Sequence, residues 1–236
     1  MSTDDAVREA ARLYSARDWA GSIDALRNAE STDANHLDIA YLLGLCHARL
    51  AQWDESLLYL EQVVTAGSDL MRIYQCRLAL AYVYAMTGRY KLAEYEVGRL
   101  LQAGFESVQV LSFIAYTSWA QGRVDEAVRY YDRALGIDPE NATALNGMGY
   151  ILACIGKETA RALTFCRKAV DKNPENPAYL DSLAWAYHKL GYAQAAQDYV
   201  ERALALAPDE AEIRDHAKMI QDGPGGGLQP SYGDRT

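Results

Sequence analysis

The side chains best suited to chemistry here are four histidines, four cysteines and a few adjacent carboxylates. His36, His47, His188 and His216 are dispersed. None forms the H-x-x-x-H or H-E-x-x-H spacing that sets two imidazoles on one helix face around a metal ion. Cys46, Cys76, Cys154 and Cys166 make no C-x-x-C pair. They read as free, buried thiols in a reducing compartment rather than as a disulfide framework. Cys46 and His47 are adjacent, but neighbours on a helix point about 100° apart, which is wrong for a nucleophile and its base. Asp125-Glu126 and Asp209-Glu210 fall at expected helix starts, where carboxylates suit the helix dipole. There is no phosphate loop and no G-x-S-x-G, and Gly147-Met148-Gly149 lies inside a helical stretch, where it reads as tight packing. These residues point away from enzymatic chemistry and from any cofactor or metal.

The elements that carry them repeat. Ala115–Asn141 reads as the end of one helix, a turn at Gly122, a second helix and a stop at Pro139. Small Ala115 and Ala127 stand where two crossing helices approach, and Tyr131 and Ala134 share one face. The same unit returns with Gly191, Ala196, Ala203 and Pro208, and with Gly149, Gly156, Ala162, Ala169 and Pro174. This last copy carries one extra residue within Lys157–Arg161. Earlier copies read Ala81, Gly88, Ala93, Leu100, then Gly44, Ala51, Ser56, Val63, then Ala10, Arg17, Ser22, Ala29. The turn residues Arg17, Ala51, Gly88, Gly122, Gly156 and Gly191 are 34, 37, 34, 34 and 35 apart. The three extra residues before Gly88 predict a bend or a looser join near Gly67–Arg72.

A helix–turn–helix period of 34 with columns of small residues resembles the tetratricopeptide family. Some features depart from the family pattern. Leu111, Leu145 and Leu180 stand where a tryptophan often opens the first helix, closing prolines are missing from the first three copies, and Glu9 takes a large apolar place. The resemblance implies an all-α tetratricopeptide helix–turn–helix solenoid, a right-handed superhelix of six repeats. These would be 3–36, 37–70, 74–107, 108–141, 142–176 and 177–210, followed by a capping helix over 211–222. Ile213, Ala217 and Ile220 supply the single apolar stripe such a cap needs, and Asp209 with Glu212 suggests a capping box at its start. Trp19, Trp53 and Tyr90 each follow a turn by two residues and read as wedges between repeats. The Gly/Pro-rich tail 223–236 has little to bury and is expected to be disordered.

Composition narrows the function. A hydrophobic content of 50% over 236 residues excludes a disordered body. A net charge of −9 argues against nucleic acid, whose phosphates call for clustered lysine and arginine. The longest apolar run, Leu78–Met86, falls far short of the ~18 residues of a membrane span. Met1–Ala10 is acidic and has no apolar run, so no signal peptide is read there and the expected location is cytoplasmic.

The resemblance also implies where a partner would bind, because in such stacks the first helix of each pair lines the concave face. One inward column would be Ala11, Leu45, Tyr82, Tyr116, Tyr150 and Trp185. A second holds Tyr41, Leu78, Phe113, Asn146 and Asp181, and a third Tyr14, Trp119 and His188. Members that clamp the acidic C-terminus of heat-shock chaperones line this groove with lysine, arginine and asparagine. Here it is mostly Tyr, Leu, Phe and Trp, and Arg8, Arg49 and Lys189 lie too far apart to form that clamp. The expected function is therefore an adaptor or assembly chaperone holding an apolar or amphipathic helix or extended peptide. Self-association into a homo-oligomer, or carriage of a small apolar ligand, stand as alternatives.

Overall fold

The computed structural model describes residues 3–27 and 35–223, and among them there are thirteen α-helices and no strand. Ala29, most of the Glu30–Asn35 loop and the tail from residue 224 onward lie outside the described residues. The helices fall into two compact units, one up to Phe105 and one from Glu106. The first holds α1 (Thr3–Ser15), α2 (Trp19–Arg27), α3 (His36–Arg49), α4 (Trp53–Ala66), α5 (Leu70–Met86) and α6 (Tyr90–Gln102). The second holds α7 (Val108–Ala120), α8 (Val124–Ile137), α9 (Ala142–Cys154), α10 (Thr159–Lys172), α11 (Pro177–Lys189), α12 (Ala193–Leu206) and α13 (Ala211–Asp222).

Local chemistry sets the helix starts. Asp69 accepts from the N–H groups of Met71 and Arg72, Ser107 from Val110, Asn141 from Ala144, and Asn176 from Ala178 and Tyr179. Each such cap contributes about 1 kcal/mol by satisfying donors the helix cannot pair itself. The ends of the first helices obey a second rule. Arg17, Ala51, Gly88, Gly122, Gly156 and Gly191 all adopt positive φ, between 55° and 79°. At Gly122 the next amide, Arg123 N–H, then returns to the carbonyl of Ser118 at 2.8 Å and closes the turn. Left-handed backbone is why glycine dominates this column, and Arg17 and Ala51 hold it against their Cβ atoms.

Five residues beyond each turn, the second helix crosses the first. Ser22, Ser56, Ala93, Ala127 and Ala196 stand there with no exposed surface. Ala162 does the same one residue later, because Glu158 takes a left-handed conformation (φ 47°) and absorbs the extra residue of that repeat. Opposite them lie Ala10, Gly44, Ala81, Ala115, Gly149 and Ala184, all buried. A Cβ on Gly149 would fall 2.6 Å from Cys166 Sγ and 3.0 Å from the carbonyl oxygen of Ala162, so the two helices meet backbone to backbone. Where serine replaces alanine the hydroxyl is used: Ser22 donates to Ala10 O at 2.8 Å and Ser56 to Gly44 O at 2.9 Å.

The join at Gly67–Arg72 is not loose. Only Gly67, Ser68 and Asp69 separate α4 from α5, and the three additional residues of this repeat lengthen α5 to 17 residues. The Asp69 cap starts that helix early, and Arg72 then pairs with Asp38 of α3 and Asp69. Within each unit successive pairs stack through their first helices, α1 on α3 and α3 on α5, then α7 on α9 and α9 on α11.

Candidate peptide-binding surface

In the first unit the expected inward residues are graded in exposure. Tyr41, Leu45 and Leu78 are half-buried. The Tyr41 hydroxyl donates to Gln75, the Arg72 guanidinium lies 5.7 Å from the Tyr41 ring centroid, and burial pushes the phenol up to about 12. Tyr82 is the open member, 45% exposed and edge-on to Trp53 at 6.2 Å. Met86 is exposed one turn further along α5. Sequence reasoning missed it, although the i, i+4 spacing from Tyr82 was its signal. Trp53 thus packs beside the column rather than only wedging between repeats.

In the second unit Tyr116 is 46% exposed, with Phe113 at 6.5 Å between ring centroids. Trp119 meets Tyr150 edge-on at 6.4 Å, and both are half-buried. The column containing Asn146 and Asp181 needs one correction of register. The residue ten before Gly122 is Ser112, not Phe113, and Ser112 is buried. Ser112 Oγ, Asn146 Oδ1 and Asp181 Oδ1 share that column in three successive repeats. Each is buried without a hydrogen-bond partner among the described residues. Leaving a buried polar atom unpaired costs on the order of 1–3 kcal/mol, so this line of oxygens is a standing expense of the fold.

The last repeat departs most from expectation. Asp181 and Trp185 are not open: they are 5% and 2% exposed, because α13 packs against α11 and α12 and covers them. His216 of α13 lies flat on Trp185, with ring centroids 4.4 Å apart, and its Nδ1 is 2.7 Å from Asp181 Oδ2. The Tyr150 hydroxyl donates to Glu212 Oε1 at 2.8 Å and lies 3.4 Å from His216 Nε2. The Asp209–Glu212 capping box does not form. Glu210 is the N-cap residue, no side chain caps the helix, and Glu212 reaches Tyr150 instead. Burial pulls His216 down, but the hydrogen bond and charge of Asp181 outweigh it and leave the imidazole above its ordinary range. Burial raises Asp181 as well, against the opposing bond from His216. His188 is half-buried, stacked on Trp185 at 5.2 Å and lowered by burial.

The remaining reactive side chains serve packing. Cys46, Cys76 and Cys166 are buried, Cys154 is half-buried, and all four are free. Burial pushes Cys76 to about 12 and Cys154 to about 11, so neither is a ready thiolate. His47 bonds Gln52 at 2.6 Å and stacks on Tyr59, away from Cys46 chemistry. Glu126 pairs with Arg123 at 2.7 Å at the start of α8.

Helix pairs with a left-handed turn, small crossing residues and stacked first helices have known relatives. Family models described as tetratricopeptide repeat match residues 7–70, 114–177 and 178–210. The chain belongs to the tetratricopeptide repeat family. It is 38% identical over 79 residues to the TPR repeat-containing protein PA4667 of Pseudomonas aeruginosa, covering 34% of this chain and 13% of that protein. It is 24% identical over 191 residues to the human protein O-mannosyl-transferase TMTC1, covering 79% of this chain and 21% of that one. The chain therefore spans less than a quarter of the length of these relatives. Among solved structures, a chain of the APC/C hetero-tetramer Cut9–Hcn1 superposes with a TM-score of 0.78 at 11% identity, covering 93% of this chain and 42% of that chain. This likeness shows the all-α tetratricopeptide fold. No helix among the described residues is long and apolar enough to cross a membrane.

Proposed function

We propose that this chain is a non-enzymatic interaction scaffold, an adaptor or assembly chaperone, that takes an apolar or amphipathic helix or extended peptide against its first helices. Tetratricopeptide repeats are a protein–protein interaction fold, and stacked repeats give extended binding surfaces. The observation that carries the finer reading is the exposure of Tyr82 and Tyr116, which stand six residues before the turn in their repeats while the neighbouring faces of α5 and α7 are buried. Large aromatics held on rigid helices with half their surface open are the residue type that anchors interfaces. Tyr41, Leu45 and Leu78 complete the proposed surface of the first unit, and Phe113, Trp119, Asn146 and Tyr150 that of the second, with Asp181, Trp185 and His188 beneath or beside α13. The partner is a protein or peptide rather than nucleic acid, since the net charge of −9 repels phosphate.

The test pairs two tyrosines of one repeat. Tyr116→Ala should weaken capture of a native partner at least about tenfold, since a central anchor contributes about 2 kcal/mol, and should leave the melting temperature nearly unchanged. Tyr131→Ala, buried in α8, should lower the melting temperature, by about 3 kcal/mol or more of stability. Capture that survives Tyr116→Ala removes this surface from the reading.

A further inference from the structure

We propose that α13 is a displaceable internal ligand of the last two repeats, and that the segment which displaces it is a helix presenting an arginine to Asp181. The proposal rests on the reading that the first helices receive a helix, and it concerns the part of that surface which is covered.

Three observations carry it. First, α13 docks by side chains placed one turn apart, Glu212 on Tyr150 and His216 on Asp181 and Trp185, and these three targets belong to the inward columns. A helix seated on those columns is what an external ligand would be. Second, this contact holds the start of α13 in place of a cap. No side chain caps that helix, and Glu212 of its first turn bonds Tyr150 of α9 instead. Third, the site is underfilled. His216 supplies a donor to Asp181 Oδ2 only, and Asp181 Oδ1 is buried without a partner.

A guanidinium answers that deficit. It is planar like the imidazole it would replace on Trp185, it is always charged, and its fork of donors meets both oxygens of one carboxylate. Lys189 Nζ already lies 4.6 Å from the Trp185 ring centroid, so the attraction of that ring for cations is in use. The Asp181 carboxylate is what draws a second cation.

The experiment uses the full chain carrying His216→Ala and two synthetic peptides of residues 209–223, one with His216→Arg and one with His216→Ala. By calorimetry the arginine peptide should bind at least about tenfold more tightly, and Asp181→Asn in the chain should erase the difference. Equal affinities, no binding of either peptide, or a difference that survives Asp181→Asn overturns the proposal. Should the His216→Ala chain fail to fold, hydrogen exchange on the wild-type chain decides. The arginine peptide should speed exchange of the α13 amides but not those of α12, and unchanged α13 exchange overturns the proposal. Tyr116→Ala should leave both readouts as they are, so failure here is distinguishable from failure of the exposed surface.

Discussion

Gly147 of α9 faces the ring of Tyr131 of α8 so closely that a Cβ on Gly147 would lie 2.2 Å from both Cζ and the hydroxyl oxygen. Alanine in a helix interior is normally about 1 kcal/mol better than glycine. Here the clash wins, because Tyr131 is 5% exposed and has nowhere to swing. Gly147→Ala should therefore destabilise by roughly 1–3 kcal/mol. In combination with Tyr131→Leu it should cost less than the sum of the two single changes, as a double-mutant cycle in urea would measure. Strict additivity would mean that the two residues do not share this space.

The turn column predicts gains as well as losses. A non-glycine residue in left-handed backbone costs about 1–2 kcal/mol, and glycine gives back about 0.4–1 kcal/mol of that through unfolded-chain entropy. Arg17→Gly and Ala51→Gly should each stabilise by roughly 0.5 kcal/mol or a little more. Gly122→Ala should lose a similar amount. A Cβ at Gly122 would meet nothing within 4 Å, so the loss is conformational and not steric. Melting temperatures that place the glycine form above the non-glycine form at all three positions are the expected result.

His216 should make stability depend on pH with a definite sign. Its folded value lies above the ordinary 6.5, so its contribution is fully present below 6.5 and is lost as pH rises through the raised value. Asp181, also raised, works in the same direction. Glu212 and Asp215 of α13 add to the charge that favours the imidazolium. The stability advantage of the wild type over His216→Gln should shrink on going from mildly acidic to alkaline buffer. An advantage that stays flat across that range would show that the imidazole carries no linked proton.

Truncation distinguishes α13 from the Gly/Pro-rich tail. Ending the chain after Asp222 should leave the melting curve unchanged. Ending it after Pro208 should uncover Trp185, Asp181 and Tyr150, lower the stability and promote aggregation. Sedimentation of the two products would report the difference, and identical behaviour would mean that α13 seals nothing.

The helical hairpins were legible in the sequence because they depend on residues with one permitted size or one permitted backbone. A glycine column marks the left-handed turn, and an alanine or serine column marks each crossing. The role of α13 was less legible because it depends on a contact across sequence, with Glu212 reaching a tyrosine 62 residues away. The D-x-x-E pattern describes a plausible local bond that loses to this distant one. A signal for the buried histidine was present nonetheless. Ile213, His216, Ala217 and Ile220 fit the i, i+3, i+4, i+7 pattern, so His216 completes the apolar stripe. Asp181 and Trp185 look open in the sequence because column position alone does not reveal what lies on top.

The left-handed Glu158 carries a consequence for how this chain can change length. One residue more than in its sister repeats lies between Gly156 and Ala162, yet Ala162 still crosses Gly149 in the usual way. Glu158 is exposed, and Arg161 pairs with it at 3.0 Å. Insertions at these elbows therefore leave the phase of the next helix intact, whereas an insertion inside either helix would rotate every crossing residue after it out of place. Lineages that differ in length should accumulate their extra residues at such elbows, and a reporter tag grafted beside Glu158 should be tolerated there.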